Sequence, residues 1–286
     1  MISFVYLIMK KIKNNNEHYS PPVKRAKKAY NNKDFLHSPA GREVRILSEY
    51  QYPLHHFSKN GIKGAIIFFG SSRIKPTDTF EQIMKKCPEI LCNNQKNENL
   101  EKNNDNIPNL SNISQFYDEA CILSKMTAEW LKTLGEDKQY LICTGGGPGI
   151  MEAANRGAFY SKEPSIGLNI SLPHEQQPNR FIHRKFNFEF HYFFMRKFWF
   201  VYLARLVVVF PGGFGTMDEL MEILTLKQTN KISRKLPIIL YSENFWKKLI
   251  NFELLIEFGL ISPEDMDLFK FANSPDEAFK LIKELI

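Results

Sequence analysis

A succession of short, almost uninterrupted apolar runs, separated by longer amphipathic segments, restricts the fold of this chain more than any other feature. The runs are Ala65–Phe69, Tyr140–Cys143, Ser165–Ile170, Leu206–Phe210 and Leu236–Tyr241. Between them, Ser114–Leu134, Ile150–Phe159, Tyr192–Ala204 and Met217–Thr229 carry apolar side chains at helical spacing. A strand that is apolar on both sides must be covered on both sides, and strands joined through helices run in parallel. The pattern therefore predicts an α/β fold, a doubly wound parallel sheet with helices on both faces. The last stretch, Phe245–Ile286, reads as helical and is expected to pack on the sheet. With 286 residues, 43% of them apolar, the chain is long enough to bury such a core.

Residues 1–60 read as an N-terminal extension, partly disordered and then helical, and residues 61–286 as the α/β domain. The extension begins with a run rich in Lys and Arg that accounts for part of the formal charge of +7. It then carries Val44, Ile46, Leu47 and Tyr50 at helical spacing, as a segment docking on a core would. No stacking platform or DNA-binding motif accompanies the basic residues, so a nucleic-acid partner is not expected. The apolar run Ile2–Met9 is too short for a membrane span, and its lysines follow rather than precede it, which predicts a cytoplasmic protein. Residues 93–112 hold nine asparagines and few apolar side chains, and read as a flexible insertion. Cys87, Cys92, Cys121 and Cys143 show neither zinc nor disulfide spacing and are expected to be reduced thiols.

Three glycine-rich turns follow strands: Phe69-Gly70-Ser71-Ser72-Arg73, Thr144-Gly145-Gly146-Gly147-Pro148-Gly149, and Phe210-Pro211-Gly212-Gly213. Carboxyl ends of parallel strands share one edge, so the turns can converge on a single crevice suited to a nucleotide or sugar phosphate. Ile150 stands where a dinucleotide fingerprint needs glycine, and no Walker lysine follows, which argues against NAD and ATP hydrolysis. The third turn opens the segment PGGFGTMDE, Pro211–Glu219, whose helix start offers free N–H groups to a phosphate. Glu219 has two readings. Thr216 and Glu219 fit a capping box, or the carboxylate acts on a substrate held by the loop. Arg196 lies among Tyr192, Phe193, Trp199 and Phe200 and also has two readings, a snorkelling or structural cation or a guanidinium projecting into the crevice. Lys197 can serve phosphate or solvent.

The segment Gly145–Ala154 (GGGPGIMEAA), Met195-Arg196-Lys197 and the PGGxGTxxE pattern together resemble the LOG (Lonely Guy) family of cytokinin riboside 5′-monophosphate phosphoribohydrolases, many formerly labelled lysine decarboxylases. The resemblance covers about Arg42 to Tyr241, in the form of the longer bacterial branch similar to AMP nucleosidases. It implies a Rossmann-like fold, a homodimer, and hydrolysis of the N-glycosidic bond of AMP or an N6-modified AMP without metal or cofactor. It also implies Arg196 and Glu219 as catalytic residues and Gly212, Gly213, Gly215 and Thr216 as the phosphate loop. Glu175, in Leu172-Pro173-His174-Glu175, and Thr225 match substrate-contacting positions of the family. The asparagine-rich insertion departs from the family pattern, and the stretch after Glu175 is longer than in short plant-like members. No lysine stands in a setting for pyridoxal phosphate, as a decarboxylase would need. A non-catalytic nucleotide-binding or carrier module of the same fold is the alternative.

Overall fold

The computed structural model describes residues 25–77, 110–135, 138–172 and 177–286, which divide between Leu47 and Ser48 into two compact units. In the first unit the short helix α1 (Lys33–His37) is capped by Asn32, whose side chain accepts from the Phe35 amide. The Arg45 guanidinium donates to the carbonyls of Leu36 and Ser38 and ties this turn to the start of α2 (Arg42–Lys59). The expected boundary at residue 60 thus falls at the end of α2, which spans the division between the units.

In the second unit, among the described residues, seven strands form one sheet: β1 (Gly64–Phe69), β2 (Tyr140–Thr144), β3 (Ser165–Ile170), β4 (Asn187–Phe190), β5 (Ala204–Val209), β6 (Ile238–Tyr241) and β7 (Lys270–Ala272). All pairings are parallel, in the order β4-β3-β2-β1-β5-β6-β7. The chain steps outward from β1 to β4, returns to lay β5 beside β1, and continues the other way. Every apolar run predicted as a strand is one. β4 and β7 were not anticipated. In β4 only Phe188 and Phe190 are buried, so it alternates like an edge strand and hides in an aromatic-rich stretch, while β7 is three residues long inside a segment expected to be helical.

The helices are α3 (Leu110–Leu131), α4 (Ile150–Tyr160), α5 (Phe193–Leu203), α6 (Phe214–Gln228), α7 (Glu243–Leu249), α8 (Phe252–Glu257) and α9 (Pro275–Leu285). Successive strand residues point to opposite faces, and β1 shows where each face goes. Ile66 and Phe68 enter a core built with Tyr117 and Leu123 of α3, Ala154 of α4 and Ile282 of α9. Phe69 faces the other side and meets Phe200 of α5, with ring centroids 4.9 Å apart. Both faces are therefore covered, as strands buried throughout require.

On the α5 face, Trp199 is fully buried, packs against Tyr50 and Phe57 of α2, and donates its indole N–H to the Glu49 carbonyl at 2.9 Å. Cys121 and Cys143 are buried and form no disulfide among the described residues. Among the described residues no helix is long and apolar enough to cross a membrane. The Ile2–Met9 run, Cys87, Cys92 and residues 93–109 of the asparagine-rich stretch lie outside the described residues. Truncating Trp199 to Ala removes its packing and its hydrogen bond together, at a cost of about 3–5 kcal/mol. Thermal unfolding followed by circular dichroism is expected to show a melting temperature lower by on the order of 10 °C. A variant that melts with the wild type would contradict this packing.

Candidate active site

The strand order reverses at β1, so the crevice beyond the carboxyl ends of β1 and β5 is where a sheet of this kind takes a ligand. Backbone hydrogen bonds draw the three glycine turns together there. The Ser71 amide donates to the Pro211 carbonyl at 3.1 Å, and the Ile150 amide donates to the Ser71 carbonyl at 3.0 Å. Gly149, at φ 74°, passes so close to this junction that a Cβ would overlap the Ser71 carbonyl oxygen, and only glycine fits. A cavity of about 740 Å³ opens over the junction, within the size range of small-molecule sites. Gly70 and Ser71, Gly145 and Gly147, and Gly212, Gly213, Gly215 and Thr216 reach it, together with Arg196 and Glu219. Gly146 stands behind this wall, where its carbonyl accepts from Asn179.

Gly213 is the N-cap of α6 and supplies no side chain, so Thr216 is the third helical residue and Glu219 lies in the second turn. The capping-box reading is therefore wrong: the helix begins three residues earlier than that reading needs. Thr216 instead packs over Gly212, where a Cβ would collide with it. The amides of Phe214, Gly215 and Thr216 lack intrahelical acceptors by position, and the helix dipole adds positive potential at the same spot. Side chains on a helix lean toward its N-terminus, which carries the buried Glu219 carboxylate back toward that anion site.

Arg196, from α5, faces Glu219 with Nη2 3.6 Å from Oε1, an ion pair without a hydrogen bond. The guanidinium lies near the rings of Phe193 and Phe200, and its Nε is buried without a hydrogen-bond partner among the described residues. Burial pushes the Glu219 carboxyl up to about 7; Arg196 and Lys197 pull it down, while Glu222 and Asp218 push it further up. Burial lowers the Arg196 pKa, against the opposing pull of Glu219, Asp218 and Glu189.

Other anticipated residues stand elsewhere. Lys197 turns to α6 and pairs with Asp218 at 2.7 Å and Glu222 at 3.0 Å, so it does not line the cavity. Thr225 is exposed, donates its hydroxyl to the Met221 carbonyl of its own helix, and does not line the cavity either. Glu175 lies outside the described residues. Among the described residues no cluster of three His, Cys, Asp or Glu side chains is arranged to hold a metal ion. Arg73 and Asn169, not singled out beforehand, do line the cavity. Asn169 had a signal, as a polar side chain near the end of an apolar strand; its amide donates to Asn187 at 2.6 Å and to the Phe188 carbonyl at 3.0 Å.

This is a parallel α/β protein whose open helix start and buried carboxylate–guanidinium pair share one crevice. A family model described as "Possible lysine decarboxylase" matches residues 151–282, which include Arg196 and all of PGGFGTMDE. Two Arabidopsis thaliana proteins, the cytokinin riboside 5′-monophosphate phosphoribohydrolases LOG1 and LOG3, are each 31% identical, over 80 and 78 residues. Those matches cover 28% and 27% of this chain and only 37% and 36% of the relatives' own lengths. Residues 151–282 are thus similar to that family, and the chain spans little more than a third of the length of the curated relatives it matches. Among solved structures, TM1055 is 20% identical with a TM-score of 0.43, covering 60% of this chain and 89% of its own. The Moco carrier protein from Chlamydomonas reinhardtii is 17% identical at the same TM-score of 0.43, covering 78% and 97%.

Titrating the Glu219 carboxyl by carbon-13 NMR, assigned with Glu219→Gln, is expected to give a midpoint near 7. Arg196→Met removes an attracting charge and raises that midpoint; a midpoint near the ordinary 4.5 would contradict the geometry. Because the folded carboxyl keeps its proton to about pH 7 and the unfolded one loses it near 4.5, its contribution to stability declines as pH rises between those values and is constant above them. Denaturant titrations of wild type and Glu219→Gln compared at pH 5 and pH 8 read that difference.

Proposed function

We propose that this protein is an N-glycosyl hydrolase that splits a nucleoside 5′-monophosphate, AMP or an N6-modified AMP, into free base and ribose 5-phosphate. The observation that carries the reading is the buried Glu219 carboxylate, 3.6 Å from Arg196, on the helix whose uncapped start faces the same cavity. Phosphate repels a carboxylate, so a mere binder gains nothing from this juxtaposition, whereas glycosidic cleavage does. The phosphoribohydrolase activity for which the LOG1 and LOG3 relatives are named supports the same chemistry.

In this reading the amides of Phe214 to Thr216 take the phosphate, and that remote binding orients the anomeric carbon. Five residues along the helix, roughly 7 Å of rise, separate Phe214 from Glu219. The backward lean of the side chain shortens that gap, leaving room for a ribose ring between phosphate and carboxylate. As the bond to the base lengthens, positive charge grows on the sugar, and ionised Glu219 stabilises it or takes a proton from the attacking water. Arg196 favours the ionised form of Glu219 by its charge and stands where it can also contact ribose or base.

The same reading makes the protein a cytoplasmic homodimer with a small-molecule substrate. The family resemblance supports the pairing, as does the row of exposed Phe193, Phe194, Phe198 and Tyr202 on α5. Light scattering on the full chain is expected to give twice the monomer mass of 33.4 kDa, and a strictly monomeric species would remove this part of the proposal.

An assay for released base and ribose 5-phosphate across a panel of nucleoside monophosphates is expected to show turnover of AMP-type substrates and little of adenosine, which has no phosphate to anchor. Glu219→Gln keeps the shape of the side chain and is expected to lower kcat by at least ~100-fold with melting little changed; normal turnover would sink the proposal. For the wild type, kcat/KM is expected to rise with pH through about 7 as Glu219 ionises. In Arg196→Met the residual activity should follow a limb displaced to higher pH.

A further inference from the structure

A second cavity, of about 860 Å³, opens on the same edge of the sheet, on the other side of the junction between Ser71 and Pro211. It shares Ser71, Gly212, Phe245 and Leu249 with the first but contains neither Arg196 nor Glu219. Its wall holds a carboxyl that the proposed hydrolysis does not use. Glu119, on α3, is 8% exposed and reaches the cavity, with its Oε1 held by the Gln115 amide at 2.7 Å. Behind it lies the fully buried Tyr241 hydroxyl, which interacts with the Glu119 carboxyl. Ser242, also on the wall, sits at φ 73° in the left-handed region, strain of a kind concentrated at ligand sites. Phe116 and Phe245 supply flat apolar surface, and Lys248 stands at the rim.

We propose that this second cavity binds a planar nitrogen heterocycle of the nucleobase class, read by the Glu119 carboxyl and held against the two phenylalanines. A neutral carboxyl presents an O–H donor beside a C=O acceptor, the complement of the N1 acceptor and N6–H donor of an aminopurine. A carboxylate only accepts and would face the N1 lone pair. Burial pushes Glu119 up to about 7; hydrogen bonds from Gln115 and Tyr241 pull it down, and Asp118 pushes it up again, so the donor is present at and below neutral pH. The charged and titratable groups around it are Asp118 on its own helix, Tyr241 on β6 with Asp276 and Glu277 of α9 close by, and Lys248 on α7. The site needs no turnover, so it can fail while the hydrolysis reading stands, and the reverse.

Calorimetric titration of the full chain with adenine tests this, in the wild type and in Glu219→Gln, with and without saturating ribose 5-phosphate. Adenine is expected to bind in all four cases, more tightly than unsubstituted purine, and at least tenfold more weakly at pH 8.5 than at pH 6. Glu119→Leu is expected to lose at least tenfold in affinity at pH 6. Glu119→Gln, whose amide keeps a donor beside an acceptor, should bind adenine equally at both pH values. Displacement of adenine by ribose 5-phosphate, an affinity indifferent to Glu119→Leu, or a pH-independent wild type would overturn the proposal. So would a site that takes ribose but not adenine. Should Glu119→Leu fail to fold, the contrast in pH dependence between the wild type and Glu119→Gln decides alone.

Discussion

The parallel pairing of β1 with β5 is the constraint on which the rest of the molecule depends. It brings residues more than a hundred positions apart into register, Ile66 beside Leu206 and Phe69 beside Val209, and reverses the direction in which strands are added. A reversal leaves the two turns at the carboxyl ends diverging to opposite sides, and the space between them is the crevice. Near-total burial of both strands makes this register costly to change, because a shift by one residue would turn each side chain to the wrong face. The Ser71–Pro211 and Ile150–Ser71 hydrogen bonds then hold the glycine turns at a spacing set by the core beneath them.

Onto that rigid floor the chain brings two opposite charges that water would otherwise separate. Glu219 comes from the helix after β5 and Arg196 from the helix before it, so their 3.6 Å separation is set by how α5 and α6 pack on the sheet. Lys197, tied to Asp218 and Glu222, fastens the same two helices from outside the cavity. Burial favours the neutral carboxyl more strongly than the guanidinium favours the ionised one, so near neutral pH the two protonation states are about equally populated. A carboxylate in that state is basic enough to assist water and still available as an anion, the combination general base catalysis requires.

Much of the fold was legible because burial on both faces writes itself as uninterrupted apolar residues; Ala65–Phe69 and Leu206–Phe210 allow little else. β4 and β7 lacked that signature, since edge strands bury one face or hardly extend at all. At the site, Arg196, Glu219 and the glycine turns were visible as chemistry out of place, a cation among aromatics and an acid beside an anion cradle. The choice between capping and chemistry for Glu219 was not, because it turns on whether the helix starts at Gly213 or Thr216, a difference of three residues that spacing leaves open. The ion pairs of Lys197 and the cavity beside Glu119 depend on how separate helices approach one another, which no local pattern records.

The central claim is spatial: an acid side chain stands beside the anomeric carbon of a nucleotide anchored by main-chain amides. A crystal structure of Glu219→Gln with AMP bound measures that relation directly. The account expects the phosphate on the amides of Phe214 to Thr216 and a side-chain oxygen of residue 219 within roughly 3–4 Å of C1′, the range of a near-attack arrangement. A phosphate bound elsewhere, or a residue 219 turned away from the sugar and engaged only with its own helix, would contradict it.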